Sequence, residues 1–289
     1  MSGSLIAIVG ETASGKSALA LYLAERFGGE LICADSRTVY QGLDIGTAKP
    51  TAEDRTGVPH YCLDIVRPDQ QFSVADFKEA ANNAIDDITS RGKLPIMVGG
   101  TGLYIDAMLY DYQFRAAADP AVRAELNELS VEQLQERLHD LGLPLPENVR
   151  NPRHLIRAIE TRGQASQRGE LRPQTLVLGL QVERGELRRR IEKRVDAMIA
   201  AGFVDEARRA SDVYGWNCPA LQAPGYKDLR AYLEGAETLE LARQNIIKNH
   251  LGLAKRQRTW FRRNKCIQWL TTEDKLAEAV DITTTFLNK

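Results

Sequence analysis

Apolar residues along this chain fall into two kinds of run: short unbroken ones, and longer ones spaced three or four apart. Leu5-Ile6-Ala7-Ile8-Val9, Leu31-Ile32-Cys33-Ala34, Leu94-Pro95-Ile96-Met97-Val98 and Thr175-Leu176-Val177-Leu178-Gly179-Leu180 are of the first kind, the pattern of strands buried on both faces. Of the second kind, Leu19, Leu23 and Phe27 recur every four positions with Ala20 and Ala24 beside them. Ala80, Ala84, Ile85 and Ile88 mark a helix over residues 73 to 91. Buried strands alternating with amphipathic helices predict an α/β fold with a largely parallel sheet flanked by helices. Gly28-Gly29 closes the first helix. Between residues 39 and 69, Gly42, Gly46, Pro50, Gly57, Pro59 and Pro68 interrupt every period. That stretch reads as a long loop with short pieces of structure, a kind of loop usually kept for function. After the strand at 175 to 180 only helices are expected.

Past Phe114 the pattern changes to Ala-, Leu- and Glu-rich segments. Asp119-Pro120 is a helix start ahead of Val122, Leu126 and Leu129. Val131, Leu134, Leu138 and Leu141 repeat at helical spacing, and Pro144, Pro146 and Pro152 bracket a turn before Leu155, Ile156 and Ile159. These features predict a small all-helical insertion over residues 115–173, with the core divided between residues 1–114 and 174–289.

Composition changes this picture mainly by exclusion. With 43% hydrophobic and 27% charged residues in 289, the chain can bury a substantial core. It has no apolar stretch approaching about 18 residues and no basic-then-apolar leader, so the expectation is a cytoplasmic protein with no membrane partner, by default a monomer. Cys33, Cys62, Cys218 and Cys266 are scattered without a C-x-x-C pair, which argues for free thiols against a zinc site or a disulfide framework. The net charge of −1 conceals an asymmetry: residues 241 to 272 hold no acid, while Arg243, Lys248, Lys255, Arg256, Arg258, Arg262, Arg263 and Lys265 lie among them.

The chemistry starts at Gly10-Glu11-Thr12-Ala13-Ser14-Gly15-Lys16-Ser17, which fits the phosphate-cradling pattern G-x-x-x-x-G-K-[ST] at every fixed position. Glycines let successive N–H groups turn inward, Lys16 supplies a cation and the Ser17 hydroxyl is placed for Mg²⁺. An apolar run before the loop and a helix after it give strand, loop and helix, the helix aiming its unpaired N–H groups at the anion. The core is accordingly P-loop NTPase-like. The second strand delivers Asp35 and Ser36 at its carboxyl end, where ligands of open parallel sheets lie. Asp35 is there a magnesium-holding carboxylate, a general base or a helix cap. The third strand ends in Gly99-Gly100-Thr101-Gly102, either a second close approach to a ligand or a tight strand-to-helix turn.

A general NTPase would carry a second carboxylate for magnesium or water, and a GTPase an N-K-x-D run; neither is evident. A P-loop small-molecule kinase survives this test, with Arg188, Arg189 and Arg190 closing over a nucleotide, but it leaves the basic C-terminal half unexplained. There, Lys255-Arg256-Gln257-Arg258-Thr259-Trp260-Phe261-Arg262-Arg263 mixes cations with aromatics. Cations neutralise backbone phosphates and aromatic faces stack on unpaired bases, which points to RNA. The alternative is a solvated helix whose Trp260 packs inward.

The sequence resembles the bacterial tRNA dimethylallyltransferase family, also called tRNA isopentenyltransferases or IPP transferases. The resemblance rests on Gly10 to Ser17, Asp35-Ser36 with Val39-Tyr40, Gly42-Leu43-Asp44-Ile45-Gly46-Thr47-Ala48-Lys49-Pro50, Gly57-Val58-Pro59-His60 and Gly99-Gly100-Thr101-Gly102-Leu103-Tyr104. It continues through Asp119-Pro120 with Arg123, Arg153 and Arg157 with Ala158, Arg194-Val195-Asp196 with Met198, Gly225-Tyr226-Lys227, and Lys255-Arg256-Gln257 with Thr259-Trp260. These blocks span nearly the whole chain in the family's order. Thr38 stands where the family commonly has Gln, and Pro224 where Ile is usual. An Asp-Pro-x-x-Ala run is absent between Leu141 and Asn151, and residues 163 to 173 are abbreviated.

The resemblance implies transfer of a dimethylallyl group from dimethylallyl diphosphate to N6 of the adenine just 3′ of the tRNA anticodon, with the base flipped into a channel shared with the donor. Gly10, Glu11, Thr12, Ala13, Ser14, Gly15, Lys16, Ser17 and Thr101 would then hold the diphosphate, with Mg²⁺ on Ser17. Asp35, Thr101 and Lys16 would be catalytic, Asp35 accepting the proton from N6. Asp35, Ser36, Arg37, Thr38 and Thr101 would border the base. Arg123, Arg153, Arg157, Gly225, Tyr226, Lys227, Lys255, Arg256, Arg258, Trp260 and Arg262 would hold the anticodon stem-loop. No eukaryote-like zinc finger is expected. A non-catalytic RNA-binding protein with a nucleotide switch is a further alternative.

Overall fold

The computed structural model describes residues 3–114, 119–164, 168–271 and 273–288. In chain order they form β1 (Leu5–Gly10), α1 (Lys16–Phe27), β2 (Gly29–Cys33), α2 (Ala52–Gly57), β3 (His60–Tyr61), α3 (Val74–Ser90), β4 (Leu94–Gly99) and α4 (Gly102–Leu109). Then come α5 (Pro120–Asn127), α6 (Val131–Asp140), α7 (Pro152–Glu160), β5 (Thr175–Leu180), α8 (Arg184–Ala200), α9 (Phe203–Tyr214), α10 (Tyr226–Leu233), α11 (Leu239–Phe261), β6 (Ile267–Trp269) and α12 (Lys275–Leu287).

One compact unit is Met1–Leu109 with Leu171–Lys289. Its sheet runs β3-β2-β4-β1-β5-β6, and every pairing is parallel. A parallel sheet covered by helices leaves its strands no wet face, which is why β1, β2 and β4 are buried at every position. Ile6, Ile8, Ile96, Val98, Leu176 and Leu178 pack with Leu19 and Leu23 of α1 and Ala279 of α12. A second cluster joins Val39, Tyr40 and Leu43 of the long loop to Val195 of α8, Phe203 of α9, Tyr226 of α10 and Ile246 of α11. Because β4 lies between β1 and β2, the turns after these three strands meet at one edge, the place where parallel sheets bind ligands.

Two strands depart from the sequence reading. The chain after β5 is not helical throughout, since Ile267–Trp269 adds β6 beside Val177, Leu178 and Gly179. The pair His60–Tyr61 adds β3 beside β2. Two or three residues are too few for a period of two to register.

The second unit is Tyr110–Glu170, where the sequence suggested limits of 115 and 173; residues 115–118 and 165–167 lie outside the described ones. Leu126 of α5, Leu134 and Leu138 of α6, and Leu155 and Ile156 of α7 form its own core. Ser130 caps α6 in a reciprocal box with Gln133, and Asn151 caps α7. Among the described residues no helix is long and apolar enough to cross a membrane. The four cysteines are free thiols, and only Cys266 is exposed.

Candidate functional site

The loop between β1 and α1 leaves the sheet at Gly10 and turns through Ala13, at φ 60°, and Gly15, at φ 94°. Gly15 is the residue before α1, and a left-handed φ there is what glycine adopts without strain. No acid occupies the first turn of α1. The N–H groups of Ala13, Gly15, Lys16 and Ser17 meet no acceptor among the described residues. Unpaired N–H groups at a helix start are an anion site. Among the described residues Lys16 Nζ donates only to the Glu11 carbonyl, at 3.3 Å. Burial pushes the Lys16 ammonium down to about 8; Asp35 pulls the other way and Arg194 adds to the lowering. The Ser14 hydroxyl is buried without a partner among the described residues.

The turn after β2 holds Asp35 by its own backbone: Oδ1 accepts the Arg37 N–H at 2.9 Å. No helix starts there, so of the three roles open to Asp35 the helix cap falls away. Its second oxygen has no hydrogen-bond partner among the described residues. Thr38 is buried and its hydroxyl donates to the Asp35 carbonyl at 3.3 Å. From the turn after β4, Thr101 Oγ1 accepts the Ser36 N–H at 3.0 Å and donates to the Ser36 hydroxyl at 3.4 Å. Thr101 therefore ties the β2 and β4 turns together.

These turns enclose a cavity of about 400 Å³, lined among others by Thr12, Lys16, Ser17, Asp35, Arg194 and Gln257, a size suited to a small ligand. Arg194, His250 and Gln257, none of them singled out from the sequence as a site residue, are on this wall. Among the described residues Arg194 of α8 presents a guanidinium with no ion pair, its Nε buried and unpartnered; burial lowers its pKa and Asp35 partly restores it. His250 of α11 is kept neutral, pushed down to about 4 by burial and then by Arg194. Gln257 of α11 accepts the Thr12 N–H at 2.8 Å and donates to the Gly100 carbonyl at 3.0 Å. Arg194 and Gln257 sat inside motifs quoted from the sequence, but only folding shows that they face the loop. His250 carried no sequence signal.

The long loop supplies Gly46 to Pro50 to the wall and is held from two sides. Glu206 of α9 is buried and accepts N–H groups from Asp44, Ile45 and Gly46 at 2.7, 2.9 and 2.9 Å. Lys49, buried, reaches Asp44 at 2.8 Å and Asp64 at 2.5 Å.

Three residues expected on an RNA surface, Gly225, Tyr226 and Arg258, are elsewhere. Tyr226 is fully buried and its hydroxyl donates to Glu206 at 2.5 Å, so the hydrophobic interior and a carboxylate take it, with Gly225 closing the turn in front of α10. Arg258 is drawn inward by Glu11, whose buried carboxylate it meets at 2.6 Å and 2.7 Å. Glu11 in turn accepts the Val182 N–H at 3.2 Å, so its side chain braces the loop while its backbone shapes it. Lys227, Lys255, Arg256 and Arg262 are exposed. Trp260 lies against Gly102 and its Nε1 donates to Asp106 at 2.8 Å, with over a third of its surface in solvent. In the second unit, Arg123 and Arg157 both pair with Glu160, and Arg153 is exposed. Arg188, Arg189 and Arg190, the arginines a kinase would need, are tied to Glu192 and Glu186 along α8.

Comparison with known proteins gives this geometry a family context. The IPP transferase family matches residues 38–264. A tRNA dimethylallyltransferase of Geobacillus thermodenitrificans (strain NG80-2) is 42% identical, over 97% of this chain and 95% of the relative. One from Moorella thermoacetica is 45% identical, over 95% and 92%. Among solved structures, the full-length tRNA isopentenylpyrophosphate transferase of Bacillus halodurans superposes with a TM-score of 0.76 at 38% identity, covering 99% of this chain and 97% of that one. A eukaryotic dimethylallyltransferase acting on tRNA superposes with a TM-score of 0.84 at 25% identity, covering 99% of this chain and 80% of that one.

Proposed function

The chain belongs to the IPP transferase family, and from that premise we propose that it is a transferase that moves the dimethylallyl group of dimethylallyl diphosphate onto N6 of the adenine just 3′ of the tRNA anticodon. The observation that carries this reading is the shared wall of one cavity, where unpaired cations and N–H groups stand with a half-free carboxylate. One set suits a leaving diphosphate and the other a departing proton.

As the C1–O bond of the donor breaks, negative charge grows on the diphosphate. Lys16, Arg194, the N–H groups of Ala13, Gly15, Lys16 and Ser17 and the Thr101 hydroxyl stabilise it, single fixed donors of this kind contributing roughly 10²–10³ in rate. The Ser17 hydroxyl lines the cavity and would hold Mg²⁺ together with diphosphate oxygens and water. Among the described residues no cluster of three His, Cys, Asp or Glu stands ready for a metal, which suits an ion that takes most of its ligands from phosphate and water. That ion, when bound, neutralises charge on the diphosphate.

The adenine amino group is a weak nucleophile because its lone pair is delocalised into the ring. When N6 bonds to C1 it becomes cationic, and the free oxygen of Asp35 takes its proton, a contribution of roughly 10²–10⁴. The base leaves its stack to reach C1, bordered by Ser36, Arg37 and Thr38. Lys227, Lys255, Arg256 and Arg262 neutralise phosphates of the anticodon stem-loop, with Arg123, Arg153 and Arg157 of the helical insertion. Incubation with labelled dimethylallyl diphosphate or labelled ATP, each with and without bulk tRNA, tests the assignment. Label transferred to tRNA from the dimethylallyl donor alone is the expected result. Phosphoryl transfer from ATP to a small acceptor would replace it with a kinase.

A further inference from the structure

Gln257 is buried, with 8% of its surface exposed, and both ends of its amide are committed. Oε1 takes the N–H of Thr12 in the phosphate loop at 2.8 Å, and Nε2 gives a hydrogen to the Gly100 carbonyl in the turn after β4 at 3.0 Å. A Cβ on Gly100 would sit 2.3 Å from that same Nε2, so the glycine is what lets the amide approach. The next residue, Arg258, clamps Glu11, the neighbour of Thr12, and the Val182 carbonyl. The two sheet-end turns that frame the cavity are thus tied to each other through a single amide on α11, at the point where the phosphate loop begins to curl.

We propose that Gln257 is a positioning residue for the donor half of the reaction, fixing the phosphate loop against the β4 turn so that the N–H groups of Ala13, Gly15, Lys16 and Ser17 converge on one diphosphate. This rests on the reading of the cavity given above. The amide of glutamine suits the task because it accepts and donates at once. Methionine has similar length and volume and does neither, and glutamate keeps the acceptor for Thr12 while losing the donor for Gly100. With Gln257→Met the Thr12 N–H is freed and the loop loses its fixed curvature, at a cost of about one hydrogen bond in diphosphate affinity.

The test uses the full chain and inorganic pyrophosphate with Mg²⁺ as probe, by calorimetry, beside steady-state kinetics with dimethylallyl diphosphate and tRNA. Gln257→Met is expected to weaken pyrophosphate binding about tenfold and to raise KM for the dimethylallyl donor by a similar factor, with KM for tRNA unchanged. Gln257→Glu, measured on monodisperse protein with a wild-type circular dichroism spectrum, should weaken pyrophosphate in the same direction, and it decides the matter if the Met variant does not fold. A merely structural amide would lower the active fraction and kcat and leave both KM values and the pyrophosphate affinity alone, which would overturn the proposal. Pyrophosphate affinity equal to wild type in both variants would do the same. Failure of the wild-type protein itself to bind pyrophosphate would instead overturn the reading of the cavity.

Discussion

The polar groups that brace the cavity and those that line it differ in one measurable respect. In the brace, bonding capacity is used up: Glu11 holds Arg258 and the Val182 N–H, Glu206 holds three backbone N–H groups and Tyr226, and Lys49 holds two aspartates and the Tyr40 carbonyl. On the wall, capacity is left over among the described residues: one oxygen of Asp35, the Arg194 guanidinium and the N–H groups of Lys16 and Ser17. Buried polar groups cost free energy unless they are bonded. Saturated ones therefore account for themselves as structure, while unsaturated ones in a cavity are waiting for a ligand or a proton. The same contrast separates charges of one kind, since Arg258 and Arg194 are both largely enclosed arginines and only the first is spent.

If that contrast is right, a lesion on the wall damages chemistry and a lesion in the brace damages stability. The largest expected effect is on the wall. Asp35→Asn keeps shape and the Oδ1 contact with Arg37 but removes basicity, so kcat should fall by roughly 10²–10⁴ with donor and tRNA affinities little changed. Near-normal single-turnover transfer would take Asp35 off the list of catalytic groups, and recovery by added Mg²⁺ would move it to the metal site.

In the brace, Arg258→Ala strands the Glu11 carboxylate, which is 2% exposed, and breaking one half of a buried ion pair costs about 3–5 kcal/mol. Chemical denaturation should show that loss. A loss under about 1 kcal/mol would mean that water reaches Glu11 and that the pair belongs with the surface ones.

A third measurement titrates the wall. The Lys16 ammonium of the free site is held down to about 8, while a bound polyanion favours the charged form. Binding of diphosphate should then take up a proton above that value and weaken as pH rises, by roughly tenfold from about pH 7.5 to about pH 9. Lys16→Arg remains charged throughout and should lose the part of the pH dependence that comes from the protein. An identical pH profile in both proteins would assign the titration to the ligand.

The smallest effects belong to cations that are neither wall nor brace. Arg256→Ala, on the exposed side of α11, and Arg262→Ala, just past its end, should leave stability within about 0.5 kcal/mol. Each should reduce the slope of log K against log salt for tRNA binding by roughly 0.7–0.9. Unchanged slopes in both would make this face a solvated surface.

How much of this was legible beforehand varies with the range of the interaction. The phosphate loop could be read because its geometry is local: glycines, a cation and a hydroxyl at fixed spacing between a buried strand and a helix specify it without help from elsewhere. The four main strands and the helices of the insertion were equally local, written in unbroken apolar runs, in apolar residues at helical spacing and in the helix start Asp119-Pro120. Strands β3 and β6 were not, because two or three residues become a strand only when a neighbour offers its edge. Among cations, the acid-free stretch around α11 was visible as composition, yet nothing in the order of residues separates Arg256 from Arg258. The sequence by itself determined the alternation of strand and helix, the phosphate loop and the delivery of Asp35 to the end of β2. The tertiary structure alone decided that Glu11, 247 positions before Arg258, would consume it, that Tyr226 would close on Glu206, and that Arg194 would reach the cavity unpaired, since the meaning of a charge depends on which partner the fold brings within hydrogen-bond distance.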